Sequence, residues 1–476
     1  MLKLFTYLLS FSMLSGACFE MKNTSKQETI TGNIVPDSAA AANYTAYCAG
    51  CHGDKMDAFV DRQWKHGKSR ADLFKGIKLG YPDGGMPSYA ATFKDEEVYA
   101  LADYILNGIK NRDRYDFEKI TVKENLFKSE QENIVLDTIA SGAKSFWGMA
   151  FLPNGEMLVT SKTGTLYKIG INKDMTPIKG VPEVNADGQG GLMDILIHPD
   201  YASNGWIYLS YSALKKENKQ TLSTTAIIRA IIKNNELQNK EIIFEALPYS
   251  RTRHHYGSRM VFGKDSMLYF SIGDRGNEKQ NPQFIGNDLG KIHRIKDDGS
   301  IPADNPFVNN KEAKTSIFSY GNRNPQGLVL NPLTGALWSH EHGPRGGDEI
   351  NIIEAGKNYG WPAISYGINY NGTVLTQNTA LPGMEQPLHY WIPSIAPSGM
   401  AFVTGNKYKN WKGDLMVGSL RFNYLNRCVF KKGKLVKEEL LLKNIGRVRD
   451  VKMGNDGYLY VSVENPGFIF RLMPEK

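Results

Sequence analysis

Two cysteines three positions apart, with a histidine directly after the second, are the residues most able to do chemistry: Cys48-Ala-Gly-Cys51-His52. This spacing matches the two vinyl groups of a haem and its iron. Each thiol can form a thioether, and His52 then sits beneath the metal as proximal ligand. A zinc site would need two more ligands nearby, yet the other cysteines are the distant Cys18 and Cys428. A thioredoxin-like pair would follow a strand, whereas residues 39–47 read as a helix. The run is therefore read as the attachment site of one covalent c-type haem.

A second axial ligand should follow on a loop. Gly84-Gly-Met86-Pro87 lies about 35 residues on, where flanking Gly and Pro would present the Met86 thioether to iron. Met56 follows His52 too closely to reach the opposite face of the ring, and His66 is the rival ligand. Val98, Leu101, Ala102, Ile105 and Leu106 then recur at helical spacing, with Asp95 as candidate cap. That helix should pack across the N-terminal one. Residues 37–112 resemble a small class I cytochrome c domain.

Haem attachment to such a motif happens outside the cytoplasm, so an export signal is expected. Residues 1–17 supply Lys3, an apolar run over 4–14 too short to span a bilayer, and small residues Ser15-Gly-Ala17 for cleavage. Cys18 follows directly and resembles a lipobox cysteine, with Ser15 where Leu is usual. Lipid anchoring there and plain secretion both remain open. Residues 18–36 would form a tether, and 113–134 a linker to the rest. The expected location is the periplasm or cell envelope. The 476-residue chain has 57 Lys and Arg against 49 Asp and Glu, a net +8. These charges are scattered rather than clustered, so nucleic acid is not implied. Cys428 reads as a buried thiol, and no disulfide framework is expected.

The large remainder, 135–476, repeats one theme: apolar strand, Gly/Asn/Asp turn, apolar strand. The copies begin at Gly148-Met-Ala-Phe, Leu196-Ile-His-Pro, Arg259-Met-Val-Phe, Gly327-Leu-Val-Leu, Gly399-Met-Ala-Phe and Asp450-Val-Lys-Met. Hairpins recurring at roughly 50–70 residues predict a β-propeller of about six blades rather than a β-sandwich. The expected fold is an all-β six-bladed β-propeller preceded by a small all-α cytochrome c domain.

An ordered set of short motifs runs through this region: Gly188-Gln-Gly-Gly-Leu192, His255-Tyr-Gly-Ser-Arg259, Ile272-Gly-Asp274, Asp298-Gly-Ser-Ile-Pro302, Gly321-Asn-Arg-Asn-Pro-Gln-Gly327, His342-Gly-Pro344, Asp348-Glu-Ile-Asn351, Asn358-Tyr-Gly-Trp-Pro362 and Arg447-Val-Arg-Asp450. Together they resemble the soluble quinoprotein sugar dehydrogenases, the glucose and aldose enzymes that use pyrroloquinoline quinone (PQQ). PQQ is an ortho-quinone with three carboxylates. Arg323, Arg421, Arg447 and Arg449 offer guanidinium groups for those carboxylates. By resemblance Gln189, Arg323, Asn324, Arg447 and Arg449 match cofactor contacts. Arg421 stands where the family has Lys. Arg447 and Arg449 alternate along a strand and should face one side.

His255 is the candidate base for the substrate hydroxyl, with Asp274 orienting it and Arg323 beside it. His254 occupies a place where the family often has an acid, and in an extended chain it would point away from His255. Calcium is the expected Lewis acid. The resemblance implies Gly343 and Pro344 as carbonyl ligands of one ion, and Glu349 and Tyr359 as ligands of a second. The implied activity is oxidation of an aldose by hydride transfer to PQQ. Electrons would then pass to the haem and to an external acceptor. Two other readings stand beside it: a sorbosone or polyol dehydrogenase on the same scaffold, and a non-enzymatic binding propeller with a cytochrome docking module.

Overall fold

The computed structural model describes residues 37–53, 59, 64–110, 125–143, 145–276, 280–464 and 467–475. The expected signal at 1–17, the tether with Cys18, Met56 and the side chain of Cys51 lie outside the described residues.

Among the described residues, the N-terminal module holds the α-helices α1 (Asp37–Asn43), α2 (Ala49–His52), α3 (Arg70–Leu79) and α4 (Asp95–Lys110), with a π-helical turn at Tyr44–Cys48. The apolar spacing of α4 buries Val98, Leu101, Ala102 and Ile105 against Tyr44, Cys48, Leu73, Ile77 and Phe93. As expected, α4 packs on α1. The start of α4 differs from the sequence reading. Asp95 is its first helical residue, not its cap, and pairs with Lys78 at 2.7 Å. The exposed backbone N–H of Lys94 is met instead by Glu97, at 2.9 Å. α3 starts with a capping box, in which Ser69 and Asp72 satisfy each other's backbone N–H groups.

The rest of the chain is a propeller of six antiparallel sheets. Blade 1 begins with Phe146–Phe151, blade 2 with Leu192–Ile197, blade 3 with Met260–Phe262, blade 4 with Pro325–Leu330, blade 5 with Pro397–Phe402 and blade 6 with Arg447–Met453. These first strands neighbour one another around the central axis. Each repeat seen in the sequence is the first strand of one blade and the turn into its second. Blade 6 closes the ring: its last strand, Phe468–Pro474, pairs with the early strand Ile134–Ser141. Leu126–Phe127, inside the segment expected as linker, adds a short strand outside Ile134–Ser141. Pairing the two ends of the chain in one sheet leaves no open seam between first and last blades.

The equivalent position near the start of the six inner strands reads Gly148, Asp194, Arg259, Gly327, Gly399 and Asp450. The charged members meet at the axis. Arg259, 3% exposed, lies 3.2 Å from Asp194 and 2.8 Å from Asp450. It also donates to the carbonyls of Gln326 and Arg449, and its guanidinium covers the Trp147 ring at 4.2 Å. Asp194 and Asp450 accept in turn from the backbone of Met260 and Met149. The glycines make room: a Cβ on Gly399 would lie 2.4 Å from Asp450 Oδ1, and one on Gly148 would lie 3.0 Å from Asp194. Arg259→Ala would strand two buried carboxylates. It should cost about 3–5 kcal/mol, the usual penalty for breaking a buried ion pair. Thermal unfolding of the variant measures this, and a loss below about 1 kcal/mol would mean the triad is no keystone.

Candidate active site

The first strand of a blade starts, and its second strand ends, at the same end of an antiparallel sheet. Most of the candidate residues sit at those two places, so blades 2 to 6 deliver them to one end of the propeller. Gln189, His255, Arg323 and Asn324 precede first strands; Asp274, Gly343 and Arg421 follow second strands; Arg447 and Arg449 begin the first strand of blade 6.

His255 and Asp274 meet there. His255 Nδ1 shares a 2.6 Å hydrogen bond with Asp274 Oδ1. The other carboxylate oxygen of Asp274 accepts from the Trp361 indole at 2.8 Å, and Oδ1 also accepts from the Gly276 backbone. Burial opposes ionisation of Asp274, but His255, Arg323 and Trp361 outweigh it and hold the group below the ordinary carboxylate range. For His255, burial first and the Arg323 charge second lower the pKa. The imidazole is therefore neutral at pH 7, with Nε2 facing away from Asp274. The backbone N–H of His255 donates to the Gln189 side chain at 2.8 Å.

The backbone here is not extended as the sequence reading supposed. His255 has φ +56°, in the left-handed region. Its carbonyl packs on Gly273, where a Cβ would come within 2.2 Å. The turn sets the His254 and His255 rings almost perpendicular, 4.5 Å apart. Both are buried. His254 faces Gly276 and Gly85 rather than Asp274. Burial pushes its pKa down to about 2.

Arg323 projects beside this pair. Its Nη1 donates to the His342 carbonyl at 3.1 Å, and its guanidinium lies 5.2 Å from the Trp361 ring centre. Among the described residues, its buried Nε and the side-chain amide nitrogen of Asn324 find no hydrogen-bond partner. Unmet donors of this kind, one of them cationic, suit an acidic or carbonyl-rich ligand. Arg447 and Arg449 both reach Glu464, at 3.4 and 2.9 Å, so they do face one side. Arg421 donates to the Ser394 carbonyl.

Glu341 and Glu349 are cross-strand partners in blade 4 and line one small cavity with Arg323, Gly343, Tyr359 and Trp361. Burial raises Glu341 to about 7. Burial, then the Glu341 charge, raises Glu349 to about 8. Two carboxylates so placed resist ionising together unless a cation joins them. Glu341 and Glu464 escaped the sequence reading because an acidic residue ending a strand carries no signal of its own. Trp361 lay within a motif, but its bond to Asp274 needed the fold. The Gly343 backbone donates to Asp348, and the Pro344 carbonyl accepts from Ser394 at 3.1 Å.

In the helical module, His52 stacks on Phe59 with ring centres 4.5 Å apart. Cys48 is buried in the apolar cluster, and Met86 is packed against it. Imidazole and thioether in apolar surroundings form a donor set suited to haem iron rather than to a hard ion. The rival His66 is exposed and stacks on Tyr81 at 3.8 Å.

The module lies across the propeller end that carries these residues. Thr92 donates to the Asn371 carbonyl at 2.5 Å, and the Arg345 guanidinium covers the Tyr47 ring at 4.2 Å. A Cβ on Gly85 would be 3.3 Å from His254, and one on Gly50, within the CxxCH run, 3.8 Å from Arg421.

Comparison with known proteins agrees with both halves. Residues 36–105 match the family described as Cytochrome C oxidase, cbb3-type, subunit III. Residues 143–471 match Glucose / Sorbosone dehydrogenase. Aldose sugar dehydrogenase YliI of Escherichia coli is 39% identical over 69% of this chain and 90% of its own length. The crystal structure of the soluble aldose sugar dehydrogenase from Escherichia coli superposes with a TM-score of 0.69 at 36% identity, covering 72% of this chain and all of that one. The PQQ-bound aldose sugar dehydrogenase from Streptomyces coelicolor gives 0.60 at 27% identity, over 73% and 99%. The chain thus belongs to the glucose/sorbosone dehydrogenase family and carries an N-terminal cytochrome c domain.

Proposed function

We propose that this protein is an exported quinoprotein that oxidises an aldose and delivers the electrons to its own c-type haem, and from there to an external acceptor. The observation that carries the reading is the His255–Asp274 pair set beside the unmatched donors of Arg323 and Asn324. A binding module would have no use for a buried neutral base held by an ionised acid.

PQQ, when bound, supplies an ortho-quinone able to accept hydride. Gln189, Arg323, Asn324, Arg421, Arg447 and Arg449 are the residues that would hold it. His255 Nε2 takes the proton of the sugar hydroxyl, and Asp274 stabilises the imidazolium that results. Trp361 and Gly276 keep the carboxylate in place by their two hydrogen bonds. Burial first, and the Arg323 charge second, lower the imidazole pKa and so keep the base unprotonated before substrate arrives.

Calcium, when bound, supplies a hard Lewis acid for oxygen ligands. Among the described residues no three His, Cys, Asp or Glu side chains converge. As the family resemblance implies, carbonyls of Gly343 and Pro344 would provide one site, and Glu349 with the Tyr359 carbonyl the other. The paired raised carboxylates of Glu341 and Glu349 support a cation at that second site. Haem iron, when bound, supplies a one-electron acceptor; Cys48 and Cys51 would tether the haem, with His52 and Met86 as axial ligands.

Export through residues 1–17, followed either by lipid anchoring at Cys18 or by plain secretion, completes the reading, with the site in the periplasm or cell envelope. Among the described residues no helix is long and apolar enough to cross a membrane.

The reading is tested by reconstitution. Chelation and dialysis should abolish sugar-dependent reduction of a small dye, and PQQ with calcium should restore it. Full turnover by the stripped protein would overturn the assignment.

His255→Ala should lower turnover by about 10²–10⁴-fold, the usual share of a general base, while PQQ still binds. Activity falls as the base protonates. The acid limb of the parent's pH–rate profile should therefore lie below the ordinary imidazole value of 6.5. A larger loss from His254→Ala than from His255→Ala would move the base to the neighbour.

Met86→His should leave the thioether linkages intact and lower the haem potential, because imidazole favours ferric iron over what a thioether does. Redox titration should show the drop, and stopped-flow spectra should show slower haem reduction by sugar with unchanged dye reduction. An unaltered potential would exclude Met86 as ligand.

A further inference from the structure

Asp187 stands at the sugar-site end of the propeller, two residues before Gln189. Its Oδ2 accepts from Arg253 at 2.8 Å, and its Oδ1 accepts from the Gly188 backbone at 3.0 Å. Both donors belong to the propeller, so the carboxylate is held in place from that side alone. Gly188, with φ +61°, lets the two loops touch: a Cβ there would lie 2.2 Å from the Arg253 carbonyl. The same Oδ1 also accepts from Lys65 Nζ at 2.7 Å, and Lys65 belongs to the cytochrome domain. The backbone N–H of Arg253 donates to the Asp83 carbonyl at 3.2 Å, on the loop that leads to Met86. Burial works against the Asp187 charge, yet Lys65 and Arg253 together bring its pKa down to about 2.

A second contact lies on the loops of blade 4. Thr92 and Ser88 bond to Asn371, and Arg345 covers Tyr47. Between the two anchors come the close approaches of Gly85 to His254 and of Gly50 to Arg421. Among the described residues, these contacts are polar: an ion bridge, a few hydrogen bonds and a cation–π pair. Such a contact is weak alone and screened by salt, and the covalent link between the domains supplies the concentration that populates it.

We propose that the Lys65–Asp187–Arg253 bridge is a docking latch that holds the cytochrome domain over the mouth of the propeller, in the position from which the haem receives electrons. The inference rests on the reading that electrons pass to the haem. Lys65 touches neither the His255–Asp274 pair nor the arginines, so it serves docking and not sugar chemistry.

The test uses the full-length, haem-loaded protein, reconstituted with PQQ and calcium, as parent, Lys65→Arg and Lys65→Glu. Small-angle scattering reads docking, and stopped-flow haem absorbance after mixing with an aldose reads transfer. At low salt Lys65→Glu should be more extended than parent and should reduce its haem about five-fold more slowly, the scale of an exposed ion pair turned to repulsion. Lys65→Arg should match the parent, and dye-linked sugar oxidation should be equal in all three. Added salt should slow haem reduction in the parent and not in Lys65→Glu, where it screens repulsion from Asp187. Parent-like scattering and haem reduction by Lys65→Glu at low salt would overturn the latch. If the parent oxidises sugar with dye but leaves its haem oxidised, the electron-transfer reading fails, and scattering alone decides docking.

Discussion

A single arginine, Arg259, organises the centre of the propeller. It bridges Asp194 and Asp450 and thereby ties the inner strands of blades 2, 3 and 6 at the axis. Carbonyls of Gln326 and Arg449 take its remaining donors. The charged side chains fit at the axis because the corresponding positions of blades 1 and 5 are glycine, where a Cβ would crowd Asp194 and Asp450. The triad also lies one step below the chemistry. Asp450 follows Arg449 directly, and Arg259 ends the segment that begins with His255. Displacing the triad would shift the backbone that aims both His255 and Arg449.

The same economy of position explains why chemistry gathers at one end. Antiparallel blades return every second strand to the level where the first began. Loops from different blades thus meet around a common mouth. Burial at that mouth sets the protonation states. His255 stays neutral while Asp274 stays charged, because the carboxylate has His255, Arg323 and the Trp361 indole to offset its burial, whereas the ring is pressed first by burial and then by the same arginine. Glu341 and Glu349 show the opposite outcome: buried carboxylates side by side are driven toward the neutral form.

Much of this was legible in the chain. The CxxCH run, the six hairpins and the ordered motifs were readable because each depends on local spacing or on residue type. Strand alternation predicts one face for Arg447 and Arg449, and both reach Glu464, although the strand bulges between Val448 and Asp450. What escaped depended on contacts between distant segments. The left-handed φ of His255 is imposed by its packing on Gly273, and no rule of alternation foresees it. Asp95 looked like a cap, but Lys78 draws it into an ion pair and Glu97 takes the capping bond. Glu341, Glu464 and Lys65 are ordinary charged residues until the fold supplies Glu349, the two arginines and Asp187 as their partners.

In the proposed reaction one molecule both oxidises the sugar and receives the electrons. Stopped-flow haem absorbance, recorded after mixing the PQQ- and calcium-loaded protein with an aldose over a wide range of protein concentration, tests it most directly. The account predicts that the haem is reduced with a half-time independent of dilution, as a transfer within one chain requires. A rate that scales with protein concentration, or a haem that stays oxidised while a dye is reduced, would contradict it.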